Sequence, residues 1–452
     1  MTTNAAAAPA PPSQPASKPA PPTEFPPPVK ATIHWLNQRF RDWYKANPPP
    51  LPDRFTRREF GYIPWPERPG PPPFVRHLGF DSQTTFHESL ARSGPHSVYY
   101  STAYYRRPAE MKMLDKQWLG AELIFDLDAD HLADVEKAKA EGREFPLDEQ
   151  LRQVKEKFKT LLDEFLFGDF GLSQKDVWIT FSGGRGYHAH VMEERLLQLG
   201  SKERREVVDY ITGKVPAEKG SETPDISVFL EKVATGADSF RGKVKADFAY
   251  KLAPVTAPGW PGRLTRTLMK DLEANVFGQE RPAARKWLLS IDGIGGTTAD
   301  KFLDKVEKLS GPAHGKSVQQ LVAEGRIGHR SDPLFKIATK SLEQFGLAQA
   351  KGETDEPVTA DIKRLIRLPG SLHGKSGLKV VILTRDQLDD FIPLRDAVAF
   401  LMDPIKFTAR KDQEATLGGE RVAVKAGEQA IVPEAHAVFW CARQSGTVTV
   451  SR

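Results

Sequence analysis

The segment Phe125-Asp126-Leu127-Asp128-Ala129-Asp130-His131 closes the apolar run Ala121-Glu122-Leu123-Ile124-Phe125. The run reads as a buried strand. Side chains on a strand alternate between faces, so Asp126 and Asp128 point to the same side. Two carboxylates held that close repel, and each raises the pKa of the other unless a cation lies between them. Hard dications such as Mg²⁺ or Mn²⁺ take carboxylate oxygens and keep positions open for water or phosphate. Two such ions can clamp the attacking and leaving oxygens of a phosphoryl transfer. A solvated acidic turn at a strand end has the same composition, so the motif gains its meaning from the rest of the chain.

A second block runs from Ser182 through Gly183-Gly184-Arg185-Gly186-Tyr187 to His188, after the β-branched and aromatic run Val177–Phe181. Its three glycines within five residues let backbone turn tightly around a ligand. Ser182, Arg185 and His188 supply hydroxyl, cation and ring nitrogen, a set suited to a triphosphate. The pattern is not a P-loop, because no Gly-Lys-Ser/Thr follows. A third block, Arg364-Leu365-Ile366-Arg367-Leu368-Pro369-Gly370-Ser371-Leu372-His373-Gly374-Lys375, crowds cations, a hydroxyl and a histidine around two glycines. Upstream of it, Thr359 reads as a helix N-cap with Asp361 in the first turn, where the dipole favours an anion, and the helix ends before Pro369.

The 452 residues suggest two to three domains. Residues 1–28 are Ala, Pro, Ser and Thr with almost no branched apolar side chains, and read as a disordered leader. A helix is predicted from Val29 to Ala46. Residues 53–125 mix short strands, turns and aromatics, and 132–168 are amphipathic with helical spacing. Residues 196–345 read as a mostly helical insertion, 354–386 as strand–helix–strand, and 404–452 as short antiparallel strands. Within the insertion, Ile291-Asp292-Gly293-Ile294-Gly295-Gly296 fits either a helix-hairpin-helix turn, whose amides meet a DNA phosphate, or a plain glycine-rich turn. Lys and Arg total 64 against 59 acidic residues, a formal +5 that permits a nucleic-acid partner without demanding one. The single cysteine, Cys441, excludes a disulfide framework and a cysteine-based zinc site, so zinc is not expected. No apolar stretch approaches the ~20 residues of a bilayer span, and the N-terminus lacks a signal-peptide core, which reads as a cytoplasmic protein.

Taken in order, Phe-Asp-Leu-Asp-Ala-Asp-His, Ser-Gly-Gly-Arg-Gly-Tyr-His-Ala-His-Val and Arg-Leu-Pro-Gly-Ser-Leu-His-Gly-Lys-Ser-Gly-Leu resemble the three motifs of the catalytic small subunit of archaeal and eukaryotic DNA primases, the archaeal version more closely. The stretches Arg57–Tyr62, Val75–Phe80, Tyr99–Tyr105 and Lys116–Leu123 extend the likeness from about residue 30 to the C-terminus. The resemblance implies an α/β fold: a mixed-sheet catalytic core over 29–195 and 346–452 with the insertion 196–345. It implies that Asp126, Asp128 and Asp355 hold Mg²⁺ or Mn²⁺, with Asp361 the rival for the third place. Asp130 would extend the acidic motif. By the same likeness Ser182, Arg185 and His188 contact the incoming nucleotide, Arg367 and His373 hold its triphosphate, and Glu59 and Arg76 line the same pocket. The implied activity is DNA-directed nucleotidyl transfer from nucleoside triphosphates, making short primers on single-stranded DNA. The implied partner is a large iron–sulfur subunit in a heterodimer, and the implied location is the nucleoid. A repair, translesion or end-joining polymerase of the same superfamily is the alternative.

Overall fold

The computed structural model describes residues 24–214, 226–240, 243–310 and 315–449. Most of the expected leader therefore lies outside the described residues. The first helix, Pro27–Ala46, starts with proline, whose missing N–H would have had no partner in a first turn anyway. It buries Leu36, Phe40 and Tyr44 and packs on a second helix, Gln83–Ser93, capped by Ser82.

The strands that matter for the site come in chain order: β1 (Phe60–Ile63), β2 (Val75–Leu78), β3 (Ser97–Ser101), β4 (Ala103–Tyr105), β5 (Trp118–Ala121), β6 (Leu123–Asp128), β7 (Val177–Phe181) and β8 (Gly186–Val191). After the insertion, whose strands are β9 (Glu231–Phe240), β10 (Lys243–Lys251) and β11 (Arg326–Gly328), come β12 (Leu365–Arg367) and β13 (Val381–Leu383). The single mixed core sheet expected from sequence is instead two four-stranded sheets, β13-β7-β8-β6 and β12-β3-β1-β2, and every pairing in them is antiparallel. Helix Leu147–Thr160 backs the first sheet. Its Phe158 stacks on Tyr187 of β8 with ring centres 5.4 Å apart, and the helix widens into a π-helical turn over Leu161–Asp169.

The 196–345 segment is mostly helical, with the antiparallel sheet β11-β10-β9 among its helices. One further expectation needs correction. The short helix before the third motif is Glu356–Ala360, with Asp355 at its N-cap. Thr359 lies inside it and Asp361 just past its end, because the Glu356-Pro357 pair starts the helix earlier than Thr359 could. The Gly293–Gly295 turn joins helices Arg281–Leu288 and Gly296–Leu309, and Gly293 adopts φ +81°. The C-terminal region carries the expected antiparallel strands, and also a buried helix, Glu434–Cys441. No helix among the described residues is long and apolar enough to cross a membrane.

Candidate active site

β6 buries Phe125 and Leu127 on one face and presents Asp126 and Asp128 on the other. The side chains of Asp126 and Asp128 are 20% and 41% exposed, so one carboxylate lies at the bottom of the cleft and one at its mouth. The amide of Asp355 donates to the carbonyl of Asp126 at 2.9 Å, which seats the third carboxylate's backbone against the same strand. Burial, then the charges of Asp128 and Asp355, push the Asp126 carboxyl up to about 7. Arg364 and Arg367 pull it the other way, less strongly. Asp128 also accepts from the amide of Asp130 at 3.0 Å. Arg185 forms an ion pair with Asp130 and lies 4.0 Å from Asp128.

The donor set fits a hard dication: oxygen ligands only, mutually repelling, and open on one side. Among the described residues no three acidic, histidine or cysteine side chains close into a preformed cage. The three carboxylates are an open set, and substrate oxygens would have to complete any coordination.

β8 brings the second motif alongside. In the β6–β8 pairing Asp126 faces His188 and Asp128 faces Gly186. A Cβ on Gly186 would fall 2.3 Å from the carbonyl oxygen of Leu127, so only glycine lets the strands close here. Ser182 turns inward: its hydroxyl accepts from the amides of Gly184 and Gly186, both at 3.2 Å, and fixes the loop. His188 places Nε2 3.5 Å from the Asp126 carboxylate, while its buried Nδ1 has no partner among the described residues. Burial, reinforced by His190, Arg367 and Arg364, holds His188 well below the ordinary histidine pKa, so its ring is neutral at neutral pH.

The third motif closes the cleft from the second sheet. Arg367 ends β12, donates to the Ser97 hydroxyl at 3.2 Å and lies over the Tyr99 ring at 5.1 Å. His373 is held at Nδ1 by Ser376 at 3.1 Å: the Ser376 hydroxyl donates to the Gly183 carbonyl at 2.6 Å and so accepts from Nδ1. Gly183 adopts φ +74°, and a Cβ there would lie 2.7 Å from the Cβ of His373. Motifs two and three thus touch through a glycine. Tyr44 accepts from the Leu372 amide at 3.1 Å, which ties the first helix to the same loop. Burial and the nearby Arg367 hold His373 well below its usual pKa.

The structure therefore brings Asp126, Asp128, Asp355, Arg185, His188, Arg367 and His373 into one neighbourhood, with Ser182 beneath it. Glu59 departs from expectation. It is fully buried and does not line open space. Its carboxylate accepts from Arg76 and from the His77 amide, both at 3.1 Å, and lies 3.4 Å from buried Lys116. Glu59 positions Arg76, which is 35% exposed. Three more basic residues belong to this neighbourhood. Arg364, one of the third block's cations, acts on both Asp126 and His188. His96 packs against Gly374, and burial beside Arg367 and Lys375 lowers it to about 4. Arg443, far along the chain, lies near Arg185 and His373. Only Arg364 carried a usable signal, its place inside a motif.

Residues 125–385 match the DNA primase small subunit family. The chain is similar to the DNA primase small subunit PriS of Methanosarcina barkeri, at 37% identity over 91% of this chain and 95% of the relative. It is also similar to PriS of Methanocella arvoryzae, at 37% identity over 92% of this chain and 98% of the relative. PriS of Methanosarcina acetivorans gives 36% identity over 92% and 96%.

Proposed function

The chain belongs to the DNA primase small subunit family, and from that premise we propose that it synthesises short primers on single-stranded DNA by nucleotidyl transfer at the Asp126–Asp128–Asp355 cluster. One observation carries the reading: a half-buried carboxyl, Asp126, is pushed up to about 7 and lies 3.5 Å from a neutral histidine at the meeting point of three distant motifs. Such pairs of perturbed groups in a cleft mark functional sites.

Asp126, Asp128 and Asp355 would hold Mg²⁺ or Mn²⁺, which when bound supplies charge to activate the primer 3′-hydroxyl and to offset charge on the reacting phosphate. The protein's own residues do the rest. Arg367, braced by Ser97 and Tyr99, has guanidinium N–H groups left for the triphosphate. His373, held at Nδ1 by Ser376, would donate from Nε2 to the same anion in its protonated form, which the triphosphate's charge favours. Arg185, engaged by Asp130, offsets charge at the mouth of the cleft and changes partner when the nucleotide enters. His188, neutral at Nε2 beside Asp126, orients that carboxylate rather than repelling a phosphate's counter-charge. Binding and orientation of this kind convert a slow encounter into a positioned displacement of pyrophosphate.

The relatives carry the words small subunit in their names, and the reading extends to a partnership with a large, iron–sulfur-bearing subunit. A formal charge of only +5 supports that extension, since affinity for nucleic acid follows the number of phosphates neutralised. The test is primer synthesis on unprimed single-stranded DNA with labelled nucleotides and Mg²⁺ or Mn²⁺, with and without the large subunit. Products from the wild type and none from Asp126→Asn or Asp128→Asn are expected. Wild-type-like synthesis by either variant would overturn the assignment.

A further inference from the structure

Away from the carboxylate cluster, an open cavity of about 560 Å³ lies where the chain approaches β1 and leaves β2, the free edge strand of the second sheet. β12, which carries Arg367, is at the opposite edge. No residue that lines the cavity belongs to the carboxylate cluster or to the second and third motifs. The cavity is therefore distinct from the nucleotide site. One wall is Arg57, just before β1, and the other is the loop after β4 with Arg106 and Arg107. All three arginines are exposed, and none forms an ion pair with a described carboxylate. Elsewhere on the described surface arginines are commonly paired: Arg281 with Asp304 and Glu307, Arg285 with Asp300, Arg385 with Asp163.

The frame is rigid. Arg57 donates to the Arg106 carbonyl at 3.1 Å, tying wall to wall. The amides of Arg106 and Arg107 donate to Gln117 and Lys116, each at 3.0 Å. Lys116, fully buried, holds the Pro108 carbonyl and faces Glu59, the same carboxylate that positions Arg76. Between the walls, Phe80 packs on Phe60 and Phe86 with ring centres 5.6 and 5.1 Å away, leaving it half-buried.

We propose that Arg57, Arg106 and Arg107 form a second contact for single-stranded DNA, outside the nucleotide site, with the half-buried Phe80 ring as a platform for a base. Unpaired guanidinium forks suit phosphodiester oxygens, and an aromatic face takes any base. Asp81 and Glu110 also line the cavity. Two carboxylates in so small a space disfavour a compact triphosphate and tolerate a strand with one charge per nucleotide. The choice of a single-stranded ligand rests on the primase reading; the site itself does not.

The test uses the full chain and its Arg106→Ala/Arg107→Ala double variant, whose altered side chains leave the loop's backbone bonds in place. Anisotropy of a labelled oligodeoxythymidylate is followed across a salt series. Each lost phosphate contact should flatten the slope of log affinity against log salt by about 0.7, so the double variant should lose about 1.4. Arg106→Lys/Arg107→Lys should restore most of the slope, which an unfolded loop would not allow. Nucleotide affinity and the rate at saturating template should stay at wild-type values while the KM for template rises. An unchanged slope, or lost nucleotide affinity with oligonucleotide binding intact, would overturn the proposal. Primer synthesis by the wild type is run alongside. Primers with no change in slope end this proposal alone, whereas a flattened slope without primers ends the primase reading alone.

Discussion

Asp126→Asn removes a charge while keeping the side chain's shape, and so separates the cost of the carboxylate cluster from its use. The fold holds this carboxyl at about 7 against an ordinary 3.8. At about 1.4 kcal/mol per pH unit, ionising it in the folded protein costs roughly 4 kcal/mol as an upper bound. The side chain is 20% open to water, and solvent trims the figure to about 2–3 kcal/mol. The sign follows from linkage. A carboxyl whose folded pKa is raised binds its proton more tightly in the folded state, so nothing is lost below pH 4, where both states are protonated. The penalty grows as pH rises from about 4 to about 7 and is complete above that. Metal-free Asp126→Asn should therefore be more stable than wild type by about 2–3 kcal/mol at pH 8, and no different at pH 4. Mg²⁺ or Mn²⁺ should stabilise the wild type and do little for the variant, while primer synthesis disappears. Urea unfolding in chelator at pH 4, 6 and 8, repeated with metal, reads all of this. A variant less stable than wild type at pH 8 in chelator, or equal stabilisation of both by metal, would refute the reasoning.

Gly186→Ala should cost about 1–3 kcal/mol through overpacking against the Leu127 carbonyl, and about 10²-fold in synthesis through displaced catalytic groups. Gly295→Ala, with nothing within 4 Å, should change neither, and a fully active Gly186→Ala would show that the strand register is not what sets the site. Asp361 is exposed and among the described residues accepts only from the Lys363 amide at 2.8 Å, so Asp361→Asn should lose about 0.5–1.5 kcal/mol of stability and keep synthesis. Asp355→Asn should lose synthesis; the reverse pattern in the same assay would move the third carboxylate. Arg367→Ala and His373→Ala should each weaken nucleotide binding about 10-fold or more, as loss of a hydrogen bond to a charged group does, and unchanged calorimetric affinity in both would take the third motif out of the pocket. Glu122→Gln should destabilise by about 3–5 kcal/mol, because it leaves Arg58 buried without its counter-charge, and a loss under 1 kcal/mol in urea unfolding would contradict that.

The paired carboxylates were legible because a period of two within one strand is a local property. The loops of the second and third motifs were legible through their glycines. Pairing was not. Which edge β6 meets, and that two antiparallel sheets stand where one mixed sheet was expected, depends on partners tens to hundreds of residues away. The Thr359 cap failed for a local reason: Asp355-Glu356-Pro357 is the stronger start signal, since proline belongs in a first turn. The C-terminal helix Glu434–Cys441 is buried all round, so it shows no polar face to betray a helical period. Glu59 looked accessible because charged side chains are seldom fully buried. Its cations, Arg76 and Lys116, lie 17 and 57 positions further on.

The floor of the cleft is built from charge rather than oil. Arg58, just ahead of β1, pairs with Glu122 and donates to the Ser101 carbonyl at 2.8 Å. Tyr100 of β3 meets His190 of β8 at 3.1 Å, and His190 lies 3.5 Å from Glu122. Arg58, Glu122, Tyr100 and His190 are each at most 1% exposed. A buried ion pair of this sort adds little net stability over apolar packing of the same volume, yet breaking it is costly. Its effect is therefore discrimination between arrangements. The Tyr100–His190 contact joins the second sheet to the first, and His190 lies two residues along β8 from His188. Slipping β8 by one residue would turn His190 away from Glu122 and His188 away from Asp126 in the same step. The network penalises that slip at a point sealed from solvent. The face that carries Asp126 and Asp128 can then stay polar, partly solvated and mutually repulsive, because its register is enforced from below.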